Sequence, residues 1–191
     1  MANSAAMLGR PGSGIGYFSL KPPDNEESRP GSSSMMPSDV QPGHLISLIE
    51  AIGGKGGRAN TKSLAEVLRI DLGVLSSLVG AAKVLGLVRV EKREIYLTDA
   101  ALSLTSTSEG MAEVLKGRLS GVEPFRSAIE LAMKGKPFTA SDVASVLANQ
   151  SLEWHHLPEI NASRIKKLLV DWAIGSNLLK YNGKSGTFEQ V

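Results

Sequence analysis

Residues 49–68, IEAIGGKGGRANTKSLAEVL, and residues 129–147, IELAMKGKPFTASDVASVL, follow one plan. In each, the end of a helix beginning at Ile-Glu passes through a Gly-Lys turn to a polar cap and a second helix closing on Val-Leu. Two such stretches at similar internal spacing constrain the chain to a tandem of similar small units.

What surrounds each stretch completes the unit. Before the first, Pro42 suits an opening helical turn, Leu45, Leu48, Ile49 and Ile52 form one apolar stripe, and Gly53 and Gly54 end it. Asn60 is placed to cap a helix carrying Leu64, Val67 and Leu68. Asp71 precedes a third helix, with Leu72, Leu75, Leu78, Val79, Ala82 and Leu85 expected to face inward and Gly86 to close it. Val88 and Val90 then alternate with Arg89 and Glu91, and Ile95 and Leu97 alternate after Lys92, Arg93 and Glu94, which predicts a hairpin. Thr98 and Asp99 mark the start of a helix with Ala101, Leu102 and Leu104.

Around the second stretch, Thr139 and Asp142 give a capping box, and a helix after Asn161 is expected to bury Ile165, Leu168, Leu169 and Trp172. Residues 178–191 read as a second hairpin turning at Asn182-Gly183. Three helices and a hairpin, twice, predict a mainly α chain with small β-hairpins: tandem winged helices. The expected boundaries are a disordered leader over 1–36, a first unit over 37–105, a helical connector over 106–120 with Met111, Val114, Leu115 and Leu119, and a second unit over 121–191.

Chemistry is harder to find. The chain has no cysteine, which excludes disulfides, thiolate metal sites and cysteine nucleophiles and fits a reducing cytoplasm. Its three histidines, His44, His155 and His156, have neither cysteines nor a carboxylate cluster beside them, so no metal is expected. Nor is there a nucleophile elbow or triad. GSGIG at 12–16 has neither the strand before it nor the helix after it that a phosphate loop needs, GGKGGR at 53–58 lacks a following Lys-Ser or Lys-Thr, and LSGVE at 119–123 reads as a helix end followed by a turn. The reading is a non-enzyme without cofactors. No signal peptide or membrane-spanning stretch is present, so neither secretion nor membrane insertion is expected.

A winged helix commonly lays its third helix in the DNA major groove. Here the outward side of the first unit's third helix carries Gly73, Ser77, Gly80, Ala81 and Val84, with Lys83 its single cation. Small residues admit another helix closely and do not clamp phosphates, so Gly73, Ser77, Gly80 and Val84 are the expected protein-docking face. The alternative, a DNA-binding regulator, would use Arg164, Lys166 and Lys167 with the first hairpin's Lys92 and Arg93. A net charge of +2 gives it little long-range help, and its cations would have to converge on one surface.

The run from Ser38 to Leu104, with its PGHL helix, GGRA turn, AAKVLGLVRV passage and IYLTDAA hairpin, resembles the C-terminal AAA-associated domain family, and the similarity continues to the closing LLVDWAIGSNLLKY. That family is prokaryotic, notably archaeal, and typically lies behind the ATP-binding subunit of nitrate, sulfonate or bicarbonate ABC transporters. The resemblance implies an accessory module beside an ATPase and brings no catalytic residues. A flexible leader, and no ATPase domain, precedes the module in this sequence, so the expectation is action in trans on a separate cytoplasmic ABC-type ATPase or transporter subunit.

Overall fold

A computed structural model describes residues 35–104, 108–150 and 161–191. The leader's first 34 residues, GSGIG among them, lie outside these, as do Trp154, His155 and His156 and the side chain of Met111.

The first helix, α1 (Pro42–Gly53), opens on the proline and buries Leu45, Leu48, Ile49 and Ile52. Gly56 and Gly57, at φ of 77° and 81°, turn the chain into the short strand β1 (Arg58–Asn60). Asn60 caps α2 (Thr61–Leu68), its Oδ1 accepting from the Lys62 amide at 2.9 Å. Asp71 caps α3 (Leu72–Val84) by accepting from the Val74 amide at 2.8 Å. Gly86, at φ 65°, ends α3, and the Leu87 N–H returns to the Ala82 carbonyl at 2.8 Å, a closure that left-handed glycine makes accessible.

Strands β2 (Val88–Glu91) and β3 (Glu94–Leu97) follow, and β3 lies between the other two in an antiparallel sheet of order β1-β3-β2. Ala59, Ile95 and Val90 share one face of it, and Arg58, Tyr96 and Arg89 stand in register on the other. The Thr98 hydroxyl donates to the Gly86 carbonyl at 2.9 Å and fixes the base of the hairpin to the end of α3.

Helices α4 (Asp99–Leu104) and α5 (Ser108–Leu119) lead to α6 (Phe125–Ala132) and α7 (Ala140–Gln150). The next helix, α8 (Ala162–Leu168), runs on as a π-helical stretch from Leu169 to Ile174, and β4 (Leu179–Asn182) and β5 (Thr187–Gln190) close the chain as an antiparallel pair. The same order of elements thus occurs twice. The second copy lacks a full counterpart of β1, because Pro137 stands where the repeat has Arg58 and has no N–H to give a ladder. Phe138 alone pairs with Phe188, through N–H···O contacts of 3.1 and 2.7 Å.

The segment ahead of α1 joins the two copies. Met36, wholly buried, donates its N–H to the Glu123 carbonyl at 2.8 Å, and the Trp172 indole donates to the Val40 carbonyl at 3.1 Å. Buried residues from both copies form one continuous core.

Several expectations need correction. Leu72 is 62% exposed, because the whole first turn of α3, residues 71–74, stands clear of the core. Of the apolar residues that α2 carries, Leu64 is buried while Val67 is 56% exposed near the end of the helix. Ala81, expected outward, is fully buried: it lies one turn past Leu78 on the arc made by Leu75, Leu78, Ala82 and Leu85. The second hairpin turns at Asn182 as expected, but through a longer loop, with Gly186 at φ 71° and its N–H on the Asn182 carbonyl at 2.8 Å.

Two local features give testable outcomes. The two-residue turn between β2 and β3 puts Lys92 and Arg93 at φ of 47° and 72°, a left-handed conformation that Asn-Gly adopts readily and long side chains resist. Replacing them together (K92N/R93G) is expected to raise unfolding stability by about 1 kcal/mol, read from the urea midpoint. At the start of α7, the Asp142 carboxylate accepts from the Thr139 N–H at 2.7 Å and its hydroxyl at 2.8 Å, and these bonds hold its pKa below the usual carboxylate value. A lowered folded-state pKa contributes stability above the carboxylate range and loses it as pH falls through that depressed value. Asp142→Asn should therefore cost about 0.5–1 kcal/mol at pH 7, and that difference from the parent should shrink in urea melts at about pH 2.5.

Candidate interaction surfaces

On α3, the proposed docking residues differ in exposure. Gly73 is exposed, while Ser77, Gly80 and Val84 are half-buried. A Cβ built on Gly80 meets nothing within 4 Å, so no other part of the described fold closes over that point. A Cβ on Gly73 would come within 3.1 Å of Asp71 Oδ1, the capping atom, so this glycine also serves the helix start. Val67, Leu72 and Val74 add exposed apolar groups at the α2–α3 corner, which the periodic pattern had assigned partly to the core.

The cations of α8 are largely engaged. Lys167 Nζ pairs with Asp171 at 2.5 Å, and Lys166 Nζ sits 5.6 Å from the centroid of the Tyr181 ring. Arg164 is exposed near the helix start.

The first sheet gathers more charge. Arg58 and Arg89 flank Tyr96, their guanidinium carbons 5.8 and 5.0 Å from its ring centroid. Arg58 Nε also contacts Glu94 at 2.5 Å, and Arg89 lies 3.6 Å from Glu91. Lys92 and Arg93 form the adjoining hairpin tip, and the Thr61 N–H donates to the Arg93 carbonyl at 3.4 Å, placing Lys62 at the start of α2 beside that tip. The backbone positions of Lys92, Arg93 and Lys62 thus adjoin the end of the sheet that carries Arg58 and Arg89. The alternation of Arg89 and Glu91 with apolar residues was the available sequence signal, but the contribution of Arg58 depended on the pairing of β1 with β3.

Sequence reasoning also missed Glu123 and Arg126. Glu123 is 1% exposed, and one of its oxygens accepts from Arg126 Nε at 2.8 Å and lies 2.7 Å from Nη2, while the other accepts from the Ser127 N–H at 3.1 Å. A Glu three residues before an Arg across a helix start was its only signal.

Neither glycine motif forms a phosphate cradle with its own helix: GGKGGR is the passage from α1 to β1, and LSGVE joins α5 to α6. An open groove of about 430 Å³ lies among α5, α6 and the second sheet, lined by Glu113, Lys116, Ile129, Met133, Leu178 and Val191. Among the described residues no group of three or more His, Asp or Glu side chains is arranged to hold a metal, and no helix is long and apolar enough to cross a membrane.

No curated protein and no solved structure matches the chain. The model of the C-terminal AAA-associated domain matches residues 62–182, from the first turn of α2 to the end of β4 and so across parts of both copies. That is more than half of the sequence, and the chain belongs to the C-terminal AAA-associated domain family.

Proposed function

We propose that the chain is a non-enzymatic accessory and regulatory module that acts in trans, in the cytoplasm, on an ABC-type ATPase or transporter subunit. The family match carries this reading, because the family's description places such domains beside AAA proteins. The repeated order of helix, strand or bridge, two helices and two strands supports reading each copy as a winged helix. The docking face is Gly73, Ser77, Gly80 and Val84, and the free space over Gly80 supports close approach by a partner helix.

Affinity capture from native cytosol with the full chain, in each nucleotide state, tests the reading. It should recover an ATP-binding transporter subunit, and recovery of none would overturn the proposal. Gly80→Phe should abolish that recovery. Gly80→Ala should keep it and gain about 0.5–1 kcal/mol of stability from helix propensity.

The alternative is a winged-helix DNA-binding regulator. Arg164, exposed near the start of α8, favours it; Asp171 beside Lys167 and the seat of Lys166 on Tyr181 oppose it. It requires binding to mixed-sequence duplex DNA that weakens steeply with salt. Charge reversal at Lys166 and Lys167 should end such binding and leave ATPase recovery unchanged.

A further inference from the structure

We infer that the outer face of the first sheet, with its hairpin tip, is a docking site for a short acidic segment of a partner protein, a reading that rests on the accessory role and specifies its chemistry. Arg58 and Arg89 flank Tyr96, Lys92 and Arg93 form the turn at the end of the same hairpin, and Lys62 opens α2 next to the Thr61–Arg93 contact, so that five cations outnumber Glu91 and Glu94 by three. The arginines keep 63% and 53% of their side-chain surface exposed. Ion pairs at a solvated surface contribute little, so incoming carboxylates can replace Glu94 on Arg58 and Glu91 on Arg89 at small cost. Tyr96 stands between the two guanidinium groups, which the strand register sets on the outer strands β1 and β2, about 10 Å apart across β3, a span that two carboxylates of an extended peptide crossing the sheet can cover.

The hairpin tip supplies an independent observation. Lys92 and Arg93 occupy left-handed backbone positions that favour Asn and Gly, so this turn carries two cations at the expense of fold stability. The size of the charge excess decides between a protein and a nucleic acid. Specific DNA binders neutralise about six to ten phosphates, and an excess of three with carboxylates set among the cations matches a few discrete acidic side chains better than a continuous phosphate backbone.

The test is titration of the isotope-labelled full chain with capped hexaglutamate, followed by backbone amide NMR. Shifts are expected at 58–62 and 89–96, with affinity about tenfold weaker in R58Q/R89Q. The K92N/R93G variant should also bind more weakly while unfolding at higher urea, a combination that a purely structural role for these cations does not produce. Absence of shifts on this face, shifts confined to α8, or full affinity in both variants would overturn the inference. Mixed-sequence duplex DNA binding the same face more tightly than hexaglutamate would overturn it in favour of nucleic acid. A captured ATPase that binds R58Q/R89Q as well as the parent would overturn this site and leave the accessory reading standing, whereas failure to capture any ATPase while hexaglutamate still binds would remove that reading alone.

Discussion

Trp172→Ala is expected to lower unfolding stability by about 3–5 kcal/mol, a large fraction of the 5–15 kcal/mol typical of a folded domain. Trp172 is among the largest fully buried side chains, and its replacement leaves a cavity that the surrounding core can refill only in part. It also deprives the Val40 carbonyl of its indole donor across 132 positions of sequence, so the variant loosens the attachment of the segment ahead of α1. Trp172→Phe separates the two effects: most of the volume stays, the N–H goes, and the expected loss falls to about 1–2 kcal/mol. Urea melts of both variants measure the difference. A loss below about 1 kcal/mol in the alanine variant would contradict the packing described for this residue.

Glu123→Leu should cost about 2–4 kcal/mol by the same measurement. Three donors converge on this carboxylate, two from Arg126 and one from the Ser127 amide, in a site sealed from water on the glutamate side. Leucine removes every acceptor and leaves the amide without its carboxylate partner, whereas Glu123→Gln keeps one carbonyl oxygen and should lose less. The double variant E123L/R126L should recover part of the loss, since replacing a buried ion pair by apolar groups is often close to neutral. Strict additivity of the two single variants would show that the pair does not interact energetically.

The sequence made the repeated helices readable because their burial follows local periodicity. Leu45, Leu48, Ile49 and Ile52, and Ile165, Leu168, Leu169 and Trp172, are buried as their spacing required, and the caps at Asn60, Asp71 and Asn161 hydrogen-bond as their residue types imply. What failed depended on where neighbouring elements end. Leu72 satisfies the spacing but lies in a turn that overhangs the core, and Ala81 is small enough to read as surface until its place beside Leu78 is known. The same limit applied to the surfaces. The charged row across Arg58, Tyr96 and Arg89 draws on residues separated by up to 38 positions, so only strand register assembles it. Within α8, by contrast, the spacing of Lys167 and Asp171 already announced their pairing, because residues four apart on a helix are neighbours.

The backbone contact between Met36 and Glu123 bears on how such a tandem comes apart. Here the residues ahead of the opening helix are buried against the later copy, through Met36 on Glu123 and Val40 under the Trp172 indole, so they lie at the joint of the pair. Melting of either copy would strip that joint of partners, which couples the two in unfolding.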